Sequence, residues 1–154
     1  MAVAYHTPKR MSPEYFAMAL IDQILVQGKD SRLYQALVQD KGHTDDVMGG
    51  INADLGNLFD INGPTFVQAY LFHDKSTPAA TILEALDAEV EKLRTTPVDA
   101  ATLDLAKVKA RSWLYGQMED FFGFGRANLL ASFALFDDDP GKINTLEAEF
   151  AKVT

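Results

Sequence analysis

The sequence predicts an α+β fold, a small antiparallel sheet covered by several helices, with strands near residues 2–7, 47–55 and 65–73. Three observations carry this. Two β-rich runs flank a connection built on Gly56-Asn57 and Asn62-Gly63-Pro64, the breaker pattern of a long hairpin. Elsewhere apolar residues recur at helical spacing. At 154 residues with 47% hydrophobic content, the chain can bury one sizeable core, so a single domain over residues 1–154 is expected.

Ala2–Tyr5 is a short apolar run that stops at His6-Thr7-Pro8 and reads as the first strand. Ser12 then offers an N-cap, Pro13 the first turn and Glu14 a negative charge at the positive end of the helix dipole. Phe16, Leu20 and Ile24 follow at four-residue intervals, with Gly28 as the stop. A second helix is expected from Ser31, with Leu33, Ala36 and Leu37 inward and its end at Lys41-Gly42. The strands Val47–Leu55 and Thr65–His73 come next, the second rich in β-branched and aromatic residues.

Thr77-Pro78 opens a third helix whose Ile82, Leu83, Leu86, Val90 and Leu93 keep a 3.6 period up to Pro97. From Asp99 another helix turns Leu103, Ala106, Ala110, Trp113 and Leu114 inward. The apolar stretch Phe121–Phe136 is expected to be helical after Gly125, and Asp137-Asp138-Asp139-Pro140-Gly141 breaks it. A last helix aligns Ile143, Leu146, Phe150 and Val153.

Charge excludes some functions. Fourteen Lys and Arg against 22 Asp and Glu leave a net charge of −8, unsuited to nucleic acid or an anionic membrane. No cysteine is present, which removes disulfides, thiolate nucleophiles and cysteine-bound metals. No apolar run approaches a membrane span, so a soluble chain is expected.

The residues offer no catalytic set. His6, His43 and His73 form neither H-x-x-H nor H-x-x-E-H, so no two imidazoles share a helical face toward a metal. His43-Thr44-Asp45-Asp46 reads as a solvated turn rather than a ligand set. Asp137–Asp139 lacks the alternation of a calcium loop. Phe122-Gly123-Phe124-Gly125 lacks the third glycine of a dinucleotide fingerprint and reads as a place where helices approach closely. Ser31, Ser112 and Ser132 lack the G-x-S-x-G context of an activated serine. Glu84, Asp87, Glu89 and Glu91 read as a solvated helix face. Trp113 and Tyr115, with Phe121 and Phe122, read as core aromatics before a peptide groove.

One stretch is more specific. Tyr5-His6-Thr7-Pro8, Pro13-Glu14-Tyr15, Gly28-Lys29-Asp30-Ser31-Arg32-Leu33-Tyr34, Ala36-Leu37-Val38 and Lys41-Gly42 together resemble the downstream half of insulinase/pitrilysin zinc metallopeptidases, the inverzincins. The match continues through Gly49-Gly50-Ile51, Leu55-Gly56-Asn57 and Asn62-Gly63-Pro64. The resemblance implies a metallopeptidase-like repeat domain without zinc ligands, cut from a longer polypeptide and shortened at its C-terminal end. It implies catalytic residues and metal ligands in another half, where an H-x-x-E-H helix holds zinc and activates water. This chain would then enclose the substrate and hold no cofactor of its own.

The resemblance also implies an Arg and a Tyr that bind the substrate backbone, at the positions occupied here by Val38 and Asp45. Val38 has no donor, and Asp45 carries the wrong sign for a developing oxyanion. The partners implied are the zinc-binding half of the same polypeptide or of another subunit, a peptide substrate, and a second copy through an exposed sheet edge. Neither a membrane nor a nucleic-acid partner is implied, and the compartment is left open, a bacterial periplasmic or secreted parent being one option. The alternatives are a scaffold domain of a non-peptidase homologue, like processing-peptidase-like subunits, and an unrelated α+β ligand-binding domain.

Overall fold

The computed structural model describes residues 1–154 apart from the side chains of Phe121 and Phe122. Strands β1 (Ala2–His6), β2 (Met48–Ile51) and β3 (Phe66–Tyr70) form one sheet in the order β1-β3-β2, antiparallel throughout. Tyr5 and Ile51 both register with Val67, and Ala2 and Met48 with Tyr70. The helices are α1 (Pro13–Leu25), α2 (Ala79–Thr95), α3 (Ala100–Asp137) and α4 (Leu146–Ala151). A π-helical segment (Tyr34–Asp40) and a 3-10 segment (Pro140–Thr145) complete the order.

Strands β2 and β3 are shorter than their sequence patterns. The stretch 52–55, expected as strand, is a turn with Asn52 and Asp54 in the left-handed region (φ 56° and 67°). The buried Asn52 carboxamide donates to the carbonyls of Asn57 (3.2 Å) and Leu58 (3.3 Å), and the Thr65 hydroxyl bonds to its oxygen. Short local bonds of this kind replace ladder partners, and asparagine tolerates the left-handed backbone. Strand β3 starts after Thr65 and ends before Leu71-Phe72-His73; there the Thr44 hydroxyl ties down the Phe72 carbonyl at 2.6 Å. Strand β1 stops at His6 because its partner strand begins at Phe66.

Ser12 caps α1 as its position predicts, its side chain accepting the Tyr15 N–H at 3.3 Å. The helix expected after Ser31 is wound as a π-helix over Tyr34–Asp40. Leu33, Tyr34, Ala36 and Leu37 are buried together on its inner side.

The separate helix expected after Gly125 is instead the far arm of α3. Gly123 has φ +92°, and a Cβ on Gly125 would run into the Gln117 carbonyl. In a straight helix, residues eight apart lie about 12 Å from each other, so α3 folds back on itself here. Glycine is required because any side chain would hold the arms apart. The folding brings Leu114 and Leu129 into the same core.

Two clusters of side chains fill the layer between sheet and helices. Around Phe59 gather Tyr15, Phe16 and Phe133, with Phe150 from α4 edge-on to Phe16 at 5.2 Å between ring centroids. Under the other end of the sheet, Leu25, Leu33, Leu37 and Leu71 meet Ile82 and Leu86 of α2. Each cluster binds an element that is too short to be stable alone.

Candidate functional site

A concavity lies between α1, β2, the loop after it and both arms of α3. Its volume is about 520 Å³. Asp22, Gln27, Gly50, Asp60, Trp113 and Phe124 are among its lining residues. Asp22 sits at its floor, 6% exposed, and was not among the residues that motifs single out. The available signal was an acid on a helix face whose neighbours Met18, Ala19, Leu25 and Val26 are all apolar.

Gln27 Nε2 donates to both Asp22 oxygens, at 3.2 and 3.3 Å, and also to the Gly49 carbonyl at 3.0 Å. Burial pushes the Asp22 carboxyl up to about 6; bonds from Gln27 and the Ile51 N–H and the charge of Lys109 offset only part of that. Lys109 itself is engaged elsewhere, donating to the carbonyls of Gln23 (3.0 Å) and Gln27 (2.6 Å) and to Asp30 (2.9 Å).

Asp60 is held differently. It accepts from the Asn57 backbone N–H (2.8 Å) and side chain (2.7 Å), from Asn128 (3.0 Å) and from the Ser132 hydroxyl (2.9 Å). It pins the loop after β2 to the far arm of α3. Gly49 and Gly50 line the opposite rim with φ +142° and +130°. A Cβ on Gly50 would lie 2.6 Å from Gln27 Nε2 and 3.2 Å from Asp22 Oδ2, so bare backbone here lets the Gln27 carboxamide and the Asp22 carboxylate pack against β2.

From α1 the cavity is lined by Ala19, Asp22 and Gln23, the spacing of an H-x-x-E-H helix. Alanine and glutamine stand where zinc would need imidazoles, so these residues do not fit the metal. Among the described residues no group of three His, Asp or Glu side chains is arranged to hold a metal ion.

The other sequence candidates lie apart. His6 is exposed on β1, while His43 and His73 are half-buried in loops. Val38 is half-buried in the π-helix against the second cluster, and Asp45 is exposed in the loop before β2. Neither lines the cavity. Ser31 is buried and accepts the Tyr34 N–H at 3.4 Å, Ser112 is exposed, and Ser132 supports Asp60. Glu84, Asp87 and Glu91 are exposed and Glu89 half-buried with Lys92 at 2.6 Å, a solvated face.

Asp138 ends α3 in the left-handed conformation and Asp139 caps the 3-10 segment, so the acidic triplet terminates helices. Trp113 lines the cavity, and Tyr115 is exposed, its hydroxyl 2.8 Å from Glu147. Phe121 and Phe122, paired with them in the sequence reading, have side chains outside the described residues.

The arrangement defines a class: an α+β domain whose helix faces the cavity without the ligand set of a metallopeptidase. The family model of the peptidase M16 inactive domain matches residues 1–109, and the chain belongs to that family. This excludes the unrelated ligand-binding domain.

Among solved structures, the chain is similar to the inactive peptidase domain of a protein named as a zinc protease in Bordetella parapertussis. That match has 22% identity and a TM-score of 0.78, covering 99% of this chain and 78% of that one. A protease from Helicobacter pylori matches with 17% identity and a TM-score of 0.77, over 99% and 34%. A peptidase M16 inactive domain from Pseudomonas fluorescens matches with 19% identity and a TM-score of 0.69, again over 99% and 34%. The chain thus spans about a third of the Helicobacter and Pseudomonas chains. These likenesses show the fold. A comparison with curated proteins gives no match. Among the described residues, no helix is long and apolar enough to cross a membrane.

Proposed function

We propose that this chain is the substrate-enclosing, non-catalytic wall of a zinc peptidase, working beside a zinc-bearing half that supplies the hydrolytic chemistry. The observation that carries the reading is the cavity beside α1, whose helix face of Ala19, Asp22 and Gln23 offers no zinc-ligand set. Membership of the inactive-domain family supports it. Val38 and Asp45 supply no cationic or neutral donor for an oxyanion, so the reading assigns the chain enclosure and substrate contact rather than transition-state stabilisation. Peptide is the substrate class, and zinc belongs to the other half.

The test is reconstitution. The chain alone, with added zinc, is expected to leave casein intact. Mixed with the H-x-x-E-H half from the same source, it should form a complex on size-exclusion chromatography and raise that half's peptidase activity. Casein cleavage by the chain alone, stopped by a chelator, would overturn the reading. So would the absence of any complex.

A further inference from the structure

We propose that the cavity beside β2 is a recognition pocket for one cationic side chain of a polypeptide, the ammonium of lysine or the guanidinium of arginine. The lining residues described include three carboxylates, Asp22, Asp60 and Asp120, and no Lys, Arg or His. Asp60 is satisfied by four protein donors and serves the scaffold, and Asp120 has a partner of its own. Asp22 is the group left for a ligand. It is buried at the floor, and its hydrogen-bond donors are neutral: the Gln27 carboxamide and the Ile51 N–H. A carboxylate has about four acceptor positions, so room for a charged donor remains.

The nearest cation does not fill that role. Lys109 spends its ammonium on two carbonyls and Asp30 at the outer edge. An ionised carboxylate kept from water without a contacting cation is costly, and the raised pKa of Asp22 expresses that cost. A ligand cation would offset it.

Shape agrees with charge. A volume of about 520 Å³ accommodates a long side chain with its stem. Trp113 and Phe124 supply apolar walls for methylenes and aromatic faces for a cation. Bare backbone at Gly50 lets Asp22 and Gln27 sit against β2 while both still line the cavity. Carboxamide donors already aimed at Asp22 and Asp60 disfavour a bare metal ion, whereas a cation bearing N–H groups can also donate to the carboxamide oxygens. The inference rests on the enclosing-wall reading only in taking the cation from a polypeptide.

Trp113 is the one tryptophan of the chain, so its fluorescence reports the pocket directly. The full chain would be titrated with N-acetyl-arginine methylamide, N-acetyl-lysine methylamide, the uncharged N-acetyl-norleucine methylamide, and glycinamide as a terminal ammonium. Saturable changes are expected with the arginine and lysine compounds, with the other two binding at least about tenfold more weakly. Asp22→Asn should weaken the two cationic probes by at least about tenfold while far-UV circular dichroism is retained and the melting temperature does not fall.

In the unsubstituted chain, the Ile51 amide resonance should move with the same saturation curve, a readout that needs no variant. Equal binding of the norleucine compound, preference for glycinamide, an unmoved Ile51 amide, or unchanged binding to Asp22→Asn would each overturn the proposal. These titrations use the chain alone, so they can fail while reconstitution with a catalytic half succeeds, and the reverse.

Discussion

Two acidic side chains withdrawn from water, one in the cavity and one at the C-terminal corner of α3, are handled in opposite ways. Asp137 meets Arg10 Nη1 at 2.6 Å and Lys142 at 2.9 Å. Burial raises its pKa, but the bonds and charges of Lys142 and Arg10 outweigh that and hold it below the usual value. Arg10 also donates through Nε to the Phe59 carbonyl at 3.0 Å and lies over the Phe133 ring at 4.9 Å. Asp22 has neutral donors and a raised pKa. The corner is a closed structural joint. The cavity keeps a charge without its counter-ion, an arrangement that weakens the fold and suits a binding surface.

The largest expected effect lies at the joint. Arg10→Met should lower stability by about 3 kcal/mol in chemical denaturation, since Asp137 and the Phe59 carbonyl lose a buried partner. A loss near zero would break the contrast between joint and cavity.

Asp22→Asn should act with the opposite sign. The folded-state pKa of Asp22 stands above the ordinary aspartate value of 3.8, at about 6. Its contribution is therefore fully present below pH 3.8 and is lost as pH rises through about 6. At pH 8 the asparagine variant should gain about 2 kcal/mol, with no gain near pH 3.5. Denaturation curves at the two pH values measure this. A variant less stable at pH 8 would show that Asp22 is structural.

The smallest effect is expected from Lys142→Met, about 1 kcal/mol lost, because Lys142 is partly exposed and Arg10 remains on Asp137. Asp137 has a lowered pKa, so this joint's contribution is present above pH 3.8 and fades as pH falls through the folded value. The variant's deficit should shrink on acidification, the reverse of the pH behaviour at Asp22.

Much of the fold was legible because its signals are local. Ser12 and Asp99 cap helices where their spacing places them, their side chains accepting the Tyr15 and Thr102 N–H groups. The Asn57-to-Pro64 connection joins β2 to β3 as the breakers indicate. The π-helical winding was not legible, since Leu33, Ala36 and Leu37 also fit an ordinary helix. Residues 52–55 alternate like a strand, but Asn52 is drawn into left-handed backbone by partners at 57, 58 and 65. The site was least legible: Asp22 belongs to no motif, and only its apolar neighbours on the helix face hint at burial until α3 and β2 close over it.

By itself the sequence determined the α+β class, the order of strands and helices, and the lack of an H-x-x-E-H motif, because caps, periodicity and motif spacing act within a few turns of chain. Tertiary structure decided which acids are buried and which are paired. Arg10 and Asp137 meet across 127 positions, and the arms of α3 fold together only because Gly125 can touch the Gln117 backbone. Charge burial depends on such distant encounters, so the cavity's character arises only in the folded chain.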